Sequence, residues 1–248
     1  MLSIITVSFN DLPRFQKTVS SLQQSNRRVE HVLVVPSTDL ETREWLESNS
    51  SDNGSGQTVL ADEGLGIYQA MNLGVSGAAG KYVGFWNSGD MLFDLANLQE
   101  LVIALDAMSD PWLICLANLE WAAKNDYSST SMLRFLLGEP KQFISHQAVF
   151  INRLTLEEMG GFNTKYRVAA DTELLMRCHQ KFGEPRLFDK VVVDVQTPQF
   201  ASHNNRRSRY EVFKISILRV QPHQKHKAVI NLLKREILGL LHRFLVLR

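Results

Sequence analysis

Asn87-Ser88-Gly89-Asp90 follows a mostly apolar run from Lys81 to Trp86 and ends on a single carboxylate. A carboxylate just past a strand end, beside a glycine that lets backbone approach closely, suits Mg²⁺ or Mn²⁺ bridged to a diphosphate. Magnesium takes one or two protein carboxylates and fills its other positions with water and phosphate oxygens. The same four residues also favour an ordinary turn, so this stretch alone leaves both readings open. Asp171 opens "DTELLMRCHQKFG", where an Asp caps a helix or presents a general base from its first turn. His146 and Gln147 precede the apolar residues of "QAVFI", as structural hydrogen-bonding groups or as polar members of a site.

The elements that must position these residues follow from periodicity. Leu2–Val7 reads as a strand, and "NDLPRFQKTVSSLQQS" as a helix capped by Asn10 or Asp11 with Pro13 in its first turn. "EHVLVV" is a second strand and "TDLETREWLES" a second helix capped by Thr38 or Asp39; "SSDNGSGQ" is a turn cluster and "TVLA" a short strand. In "GIYQAMNLGVSGAAG" the apolar residues Ile67, Ala70, Met71, Gly74, Val75 and Ala78 share one helical face, and Gly80 is the expected stop. "KYVGFW" is a buried strand. Strands alternating with helices imply a parallel, doubly wound sheet, whose ligands bind at the carboxyl ends of the strands. "SFN" and "NSGD" both lie at such ends.

The second half is less regular. "DLANLQELVIALDAM" is a helix, and "WLICLANL", "QAVFI" and "RLFDKVVVDV" are strands. "RLTLEEMGGF" is a helix stopped by Gly160-Gly161, and "DTELLMRCHQKFG" one capped by Asp171 and ended by Gly183. From about Arg206 the chain reads as two helices broken near Gln221-Pro222.

With 248 residues, 44% apolar and 21% charged, the chain suits one large domain, or one and a fraction, with a substantial core. Its net charge of +1 hides an asymmetry. From Arg206 onward eleven Lys/Arg face only Glu211 and Glu236, a formal +9 that leaves −8 elsewhere. An acidic body with a basic tail seeks an anionic surface. Nucleic acid is disfavoured as that partner, because the rest is acidic and has no basic-aromatic platform. Cys115 and Cys178 are too few and too distant for a disulfide framework, so a reduced, intracellular setting is the default. The N-terminal apolar run is too short for a signal or membrane span and lacks a basic flank.

Taken in order, "GIYQAMNLGVSGAAGKYVGFWNSGD", "SHQAVF" and "GGFNTKYRVAADTELLMR" resemble a family 2 glycosyltransferase of the GT-A fold, closest to the colanic-acid-type and other exopolysaccharide transferases. The resemblance covers roughly residues 2–195. It implies a doubly wound mixed sheet with helices on both faces, a transferase domain over residues 1–200 and a helical extension over 201–248. It further implies a nucleotide-sugar donor, Mg²⁺ or Mn²⁺, and inversion at the anomeric carbon by direct displacement.

Carried over by position, Ser8 and Asn10 begin the nucleotide pocket, and Asp39 matches the second acidic position of the family's "DGxSxD" turn. Asn72, aligned with Tyr68 and Ser76 off the apolar face, would face the diphosphate. Asn87 and Asp90 occupy the ends of the acidic element, with Asp90 on the metal, and Asp171 matches the catalytic base; His146 and Gln147 fall on the acceptor side. Pro36 stands where the family has its first acidic residue after the second strand. Gly64 replaces the acidic residue before "GIYQAMN", but Asp62 and Glu63 lie close, and Asp62 joins the nucleotide-sugar-binding set. "TPQFASHNN" replaces the usual Gly-Gly-hydroxyl stretch.

In "KAVINLLKREILGLLHRFLVLR" apolar residues are interleaved with Lys234, Arg235, His242, Arg243 and Arg248. This helix either packs on the body or at a dimer contact, or lies on anionic lipid. The second reading suits a transferase that extends a glycan or polyprenyl-linked acceptor at the cytoplasmic membrane face during bacterial surface polysaccharide synthesis. The alternative is a catalytically inactive nucleotide-sugar-binding scaffold of a transferase complex.

Overall fold

The computed structural model describes residues 1–8, 10–25, 28–49, 57–64, 66–119, 144–196, 206–219 and 230. The "SSDNGSGQ" loop before Gln57 and the basic tail helix, except Ile230, lie outside them. The chain divides into two compact units. One takes in 1–119, 145–167 and 185–197; the other takes in 120–144, 168–184 and 198–248.

The first unit holds one eight-stranded sheet. Its strands are β1 (Leu2–Val7), β2 (Val29–Pro36), β3 (Gln57–Asp62), β4 (Tyr82–Asn87), β5 (Met91–Leu92), β6 (Trp112–Asn118), β7 (Val149–Asn152) and β8 (Arg186–Asp194). They lie in the order β3-β2-β1-β4-β7-β6-β8-β5. The β3-β2-β1-β4 half is parallel, β7 runs antiparallel to both β4 and β6, and β8 is parallel to β6. The sheet is thus mixed, with the parallel half that the strand–helix alternation predicts. Two-residue β5, which periodicity could not show, pairs antiparallel with the end of β8.

Four helices follow the early strands: α1 (Leu12–Leu22), α2 (Leu40–Asn49), α3 (Ile67–Gly77) and α4 (Leu95–Ala107). Asp11 caps α1 and Asp94 caps α4, each accepting the N–H three residues on. Leu2 and Ile4 of β1 join Trp86, Phe150 and the α4 residues Leu98, Leu101, Val102 and Leu105 in one core cluster. Phe15 and Val19 of α1 pack with Leu33, Val35 and Leu46 in another. Helix α3 lies so close to β1 that a Cβ at Gly74 would sit 2.4 Å from Ile5 Cγ2.

Two boundaries here differ from the sequence reading. Helix α3 ends at Gly77 with Ala78 already extended, not at Gly80. Gly80 is instead needed for a close crossing, since a Cβ there would meet the Ser3 backbone nitrogen at 2.6 Å. Gln147 and Ala148 form a short 3₁₀ turn (His146–Ala148) ahead of β7 rather than part of the strand. The short helix α5 (Arg153–Glu158) does stop at Gly160-Gly161, both with positive φ.

In the second unit, α6 (Ala170–Phe182) and α7 (Arg206–Arg219) are described. Helix α6 has Ala169, not Asp171, at its N-cap, so Asp171 falls in the first turn. The capping group comes from α7: the Glu211 carboxylate accepts the backbone N–H of Val168 at 2.9 Å and of Ala169 at 3.1 Å. Gly183 ends α6 with φ 78°. No helix among the described residues is long and apolar enough to cross a membrane.

Candidate functional site

Registers place four carboxyl strand ends side by side: Val7 pairs with Val34 and with Asn87, and Pro36 pairs with Asp62. This is the edge where parallel sheets bind ligands. The residues that follow β4 make a tight turn that the rest of the unit grips. Asp90 closes it, its N–H donating to Asn87 O at 3.0 Å and its Oδ2 accepting the Asn87 N–H at 2.7 Å. Ser88 Oγ donates to Val7 O at 3.0 Å, and Gly89 N–H donates to Thr18 Oγ1 at 2.8 Å. Arg14 Nε of α1 donates to Ser88 O at 3.1 Å. Gly89 has φ 101°, which favours glycine, and a Cβ there would lie 2.5 Å from Arg14 Nε, so a side chain would also push the Arg14 guanidinium off the turn.

Asp90 is 1% exposed, yet well partnered. Besides the Asn87 N–H, Oδ2 accepts Gln147 Nε2 at 3.1 Å, and Oδ1 accepts the Gln196 N–H at 3.2 Å. Burial pushes its pKa up, while the Asn87, Gln147 and Gln196 donors and the nearby His146 pull it down; burial wins. Gln147 is itself buried, and its backbone O accepts the indole N–H of fully buried Trp86 at 3.1 Å. The structure therefore uses the Gln147 side chain to hold the Asp90 carboxylate.

Half-buried His146 places Nε2 3.4 Å from Asn87 Nδ2. Asn87 Oδ1 is then left buried with no hydrogen-bond partner. Such an orphan acceptor is costly unless something else binds it. Among the described residues no three His, Cys, Asp or Glu side chains gather as a metal site. What the turn offers is two hard oxygen donors, the remaining lone pair of Asp90 and Asn87 Oδ1. That set fits Mg²⁺ or Mn²⁺ sharing its coordination with a diphosphate, and no self-contained metal centre.

Across β1, Asp39 binds the loop that follows the strand. Its Oδ2 accepts Ser8 Oγ at 3.0 Å and the Asn10 N–H at 3.1 Å, and its Oδ1 accepts the Thr42 N–H at 3.2 Å. One buried carboxylate thus caps α2 and fixes Ser8 and Asn10. Asn10 has φ 49°, a left-handed conformation that Asn tolerates. Asp62, 7% exposed, ends β3.

Asn72 of α3 donates Nδ2 to Phe162 O at 3.0 Å and accepts the Phe162 N–H on Oδ1 at 2.8 Å. Both ends of its amide clamp the turn after α5, where Gly161 at φ 64° leaves room for it. Tyr68, expected beside Asn72 on the polar side, is instead buried and stacked on Phe162 at 5.4 Å between ring centroids. An aromatic at the edge of an apolar face turns inward when a ring is there to meet it.

Ser8, Asn10, Asp39, Asp62, Asn72, Asn87, Asp90, His146 and Gln147 all belong to the first unit. Asp171 belongs to the second, where its Oδ1 accepts the Thr172 N–H at 2.7 Å on the first turn of α6. Sequence reasoning missed Arg14 and Thr18 beneath the turn, Gln196 on Asp90, and Glu211 at the head of α6. Arg14 and Thr18 share a helix face with Leu22, a spacing visible in the sequence, but nothing local links them to residues 88 and 89.

No family model matches the sequence. It is similar to an uncharacterized glycosyltransferase of Mycobacterium tuberculosis, 28% identical over 222 residues, spanning 82% of this chain and 77% of that protein. A PGL/p-HBAD biosynthesis glycosyltransferase of the same species is 27% identical over 199 residues, spanning 77% and 73%. Among solved structures, Staphylococcus aureus TarS 1–349 in complex with UDP superposes with a TM-score of 0.68 at 16% identity, covering 94% of this chain and 71% of that one. The mannosyltransferase PcManGT of Pyrobaculum calidifontis, in complex with GDP-Man and Mn²⁺, gives 0.67 at 16% identity, covering 99% and 79%. The chain therefore has the mixed α/β fold of GT-A glycosyltransferase structures, and its relatives in sequence bear the glycosyltransferase name.

Proposed function

We propose that the protein is an inverting glycosyltransferase that moves a sugar from a nucleotide-sugar donor to a hydroxyl of a glycan or polyprenyl-linked acceptor. The observation that carries this reading is the row of polar groups along the carboxyl ends of β3, β1 and β4: Asp62, Ser8 with Asp39, and the Asn87–Asp90 turn. Proteins of similar fold hold UDP or GDP-Man. Here Ser8, Asn10, Asp39 and Asp62 would receive the nucleoside, and Asn72 and Asn87 would border the diphosphate. His146 would stand on the acceptor side, with Gln147 acting through Asp90.

In the displacement, the acceptor oxygen forms a bond to C1 of the sugar as the bond from C1 to the diphosphate oxygen breaks on the opposite face. The acceptor proton passes to the Asp171 carboxylate, which the first turn of α6 presents with Thr172 N–H on its other oxygen. Asp90 and Asn87 Oδ1 would hold Mg²⁺ or Mn²⁺, which when bound supplies positive charge to the leaving diphosphate. The basic tail beyond Gln221 would bring the enzyme to anionic lipid at the inner face of the cell membrane, in surface polysaccharide synthesis.

Removing the base tests this most sharply. Asp171→Asn should lower release of nucleoside diphosphate in the presence of acceptor by on the order of 10²–10⁴-fold, with donor affinity unchanged. Undiminished turnover in the purified variant removes Asp171 from the mechanism.

A further inference from the structure

Glu211 of α7 is a carboxylate 6% exposed that reaches out of its own helix to the start of another. Its Oε2 accepts two consecutive backbone N–H groups, of Val168 at 2.9 Å and of Ala169 at 3.1 Å. Its Oε1 accepts Arg207 Nε at 3.1 Å, one turn back on α7. Ile215, one turn further on, is fully buried and seats the same face of that helix. The side chain is therefore held at both oxygens, by charge-assisted hydrogen bonds that offset the cost of burying it.

Helix α6 has no means of its own to satisfy these donors. Val168-Ala169-Ala170 carries no polar side chain, and Ala169 at the N-cap makes no side-chain hydrogen bond. The N–H groups that a helix start leaves open must then be taken from elsewhere. Those that follow are used within the turn itself: Thr172 N–H goes to Asp171 Oδ1 at 2.7 Å, and Glu173 N–H to Ala169 O at 3.0 Å. Glu211 thus fixes the point at which the chain enters α6, and Asp171 stands two residues past the N-cap. A general base works only within about 2.6–3.2 Å of the atom whose proton it takes. Misplacing such a group by about 1 Å can cost about 10²-fold in rate.

We propose that Glu211 is a positioning residue for the acceptor step, holding the first turn of α6 so that the Asp171 carboxylate stays in reach of the attacking hydroxyl. The proposal rests on the reading of Asp171 as the base and adds the group that aims it. Glu211 itself touches neither substrate nor reacting atoms.

The test is hydrolysis of UDP-glucose, UDP-GlcNAc, GDP-mannose and dTDP-glucose by the full-length protein with Mn²⁺, water standing in for the acceptor. Released nucleoside diphosphate is the signal, read well below each variant's melting midpoint. Glu211→Ala should lower kcat about 10²-fold and leave the donor KM unchanged. Glu211→Gln, whose amide oxygen still accepts both N–H groups, should recover most of that loss. In Asp171→Asn protein, adding Glu211→Ala should cost no further turnover, because a residue acting through the base has nothing left to aim. Glu211→Asp, shorter by one methylene, takes the place of the alanine variant if that one does not fold. A variant that melts lower but keeps native kcat would make Glu211 a structural cap and overturn the proposal. So would a rise in donor KM alone, or a second full loss on top of Asp171→Asn. Undiminished hydrolysis by Asp171→Asn alone would instead sink the base reading, and no release from any donor by native protein would sink the transferase reading beneath both.

Discussion

Two aspartates at the ligand-binding edge of one sheet have opposite surroundings. Asp90 is held by three N–H donors, two of them from residues 57 and 106 positions away in sequence; Asp62 has none among the described residues. The sequence marks Asp90 through the abrupt end of an apolar run, but it cannot show Gln147 and Gln196 arriving from distant segments. It likewise hides His31, a β2 residue whose Nε2 lies 2.9 Å from Thr6 Oγ1 and whose Nδ1 has no partner. Burial lowers the pKa of His31 from 6.5 to about 3. The folded protein therefore keeps this ring neutral where the unfolded chain protonates it. Stability from this group is fully present above 6.5 and is lost progressively as pH falls toward 3. Urea unfolding at about pH 7.5 and about pH 5 should show native protein losing more stability than His31→Gln, which keeps a partner for Thr6 without titrating. Equal losses in both proteins would mean that His31 is protonated in the fold.

At the scale of elements, periodicity served well wherever one side of an element meets the core. Strands β1 to β4 and helices α1 to α3 stand where alternation of apolar and polar runs puts them, and Asp11, Pro13 and Asp39 occupy the expected starts of α1 and α2. What failed was reading a helix end from composition alone. Gly80 looks like a helix stop but serves the crossing over Ser3, and Asp171 looks like a cap but yields that role to Glu211. Both depend on neighbours far along the chain. Asn72 illustrates the same limit, because a polar residue on α3 turned out to fasten the turn at Phe162 through two hydrogen bonds. Asn72→Ala leaves the Phe162 N–H and C=O without these partners, and should cost about 1–3 kcal/mol in chemical unfolding. A loss below about 0.5 kcal/mol would show that water replaces the clamp.

For the whole molecule, composition foresees a charge division that matters more than its net value. The −8 body carries the carboxyl-end carboxylates, and the +9 segment begins within α7. The two compact units interleave in sequence, with the segment bearing Asp171 inserted between strands of the sheet-bearing unit. Only long-range contacts define such a division. The central claim remains that the polar edge of the sheet holds a nucleotide-sugar. Its most direct test is thermal unfolding of the full-length protein with UDP-, GDP- and dTDP-sugars, each with Mg²⁺ or Mn²⁺. A ligand that binds only the folded state at a hundredfold excess over its Kd adds about 2.7 kcal/mol of stability. The account predicts such a gain for at least one donor class and none for the free sugar; no gain with any donor would contradict it.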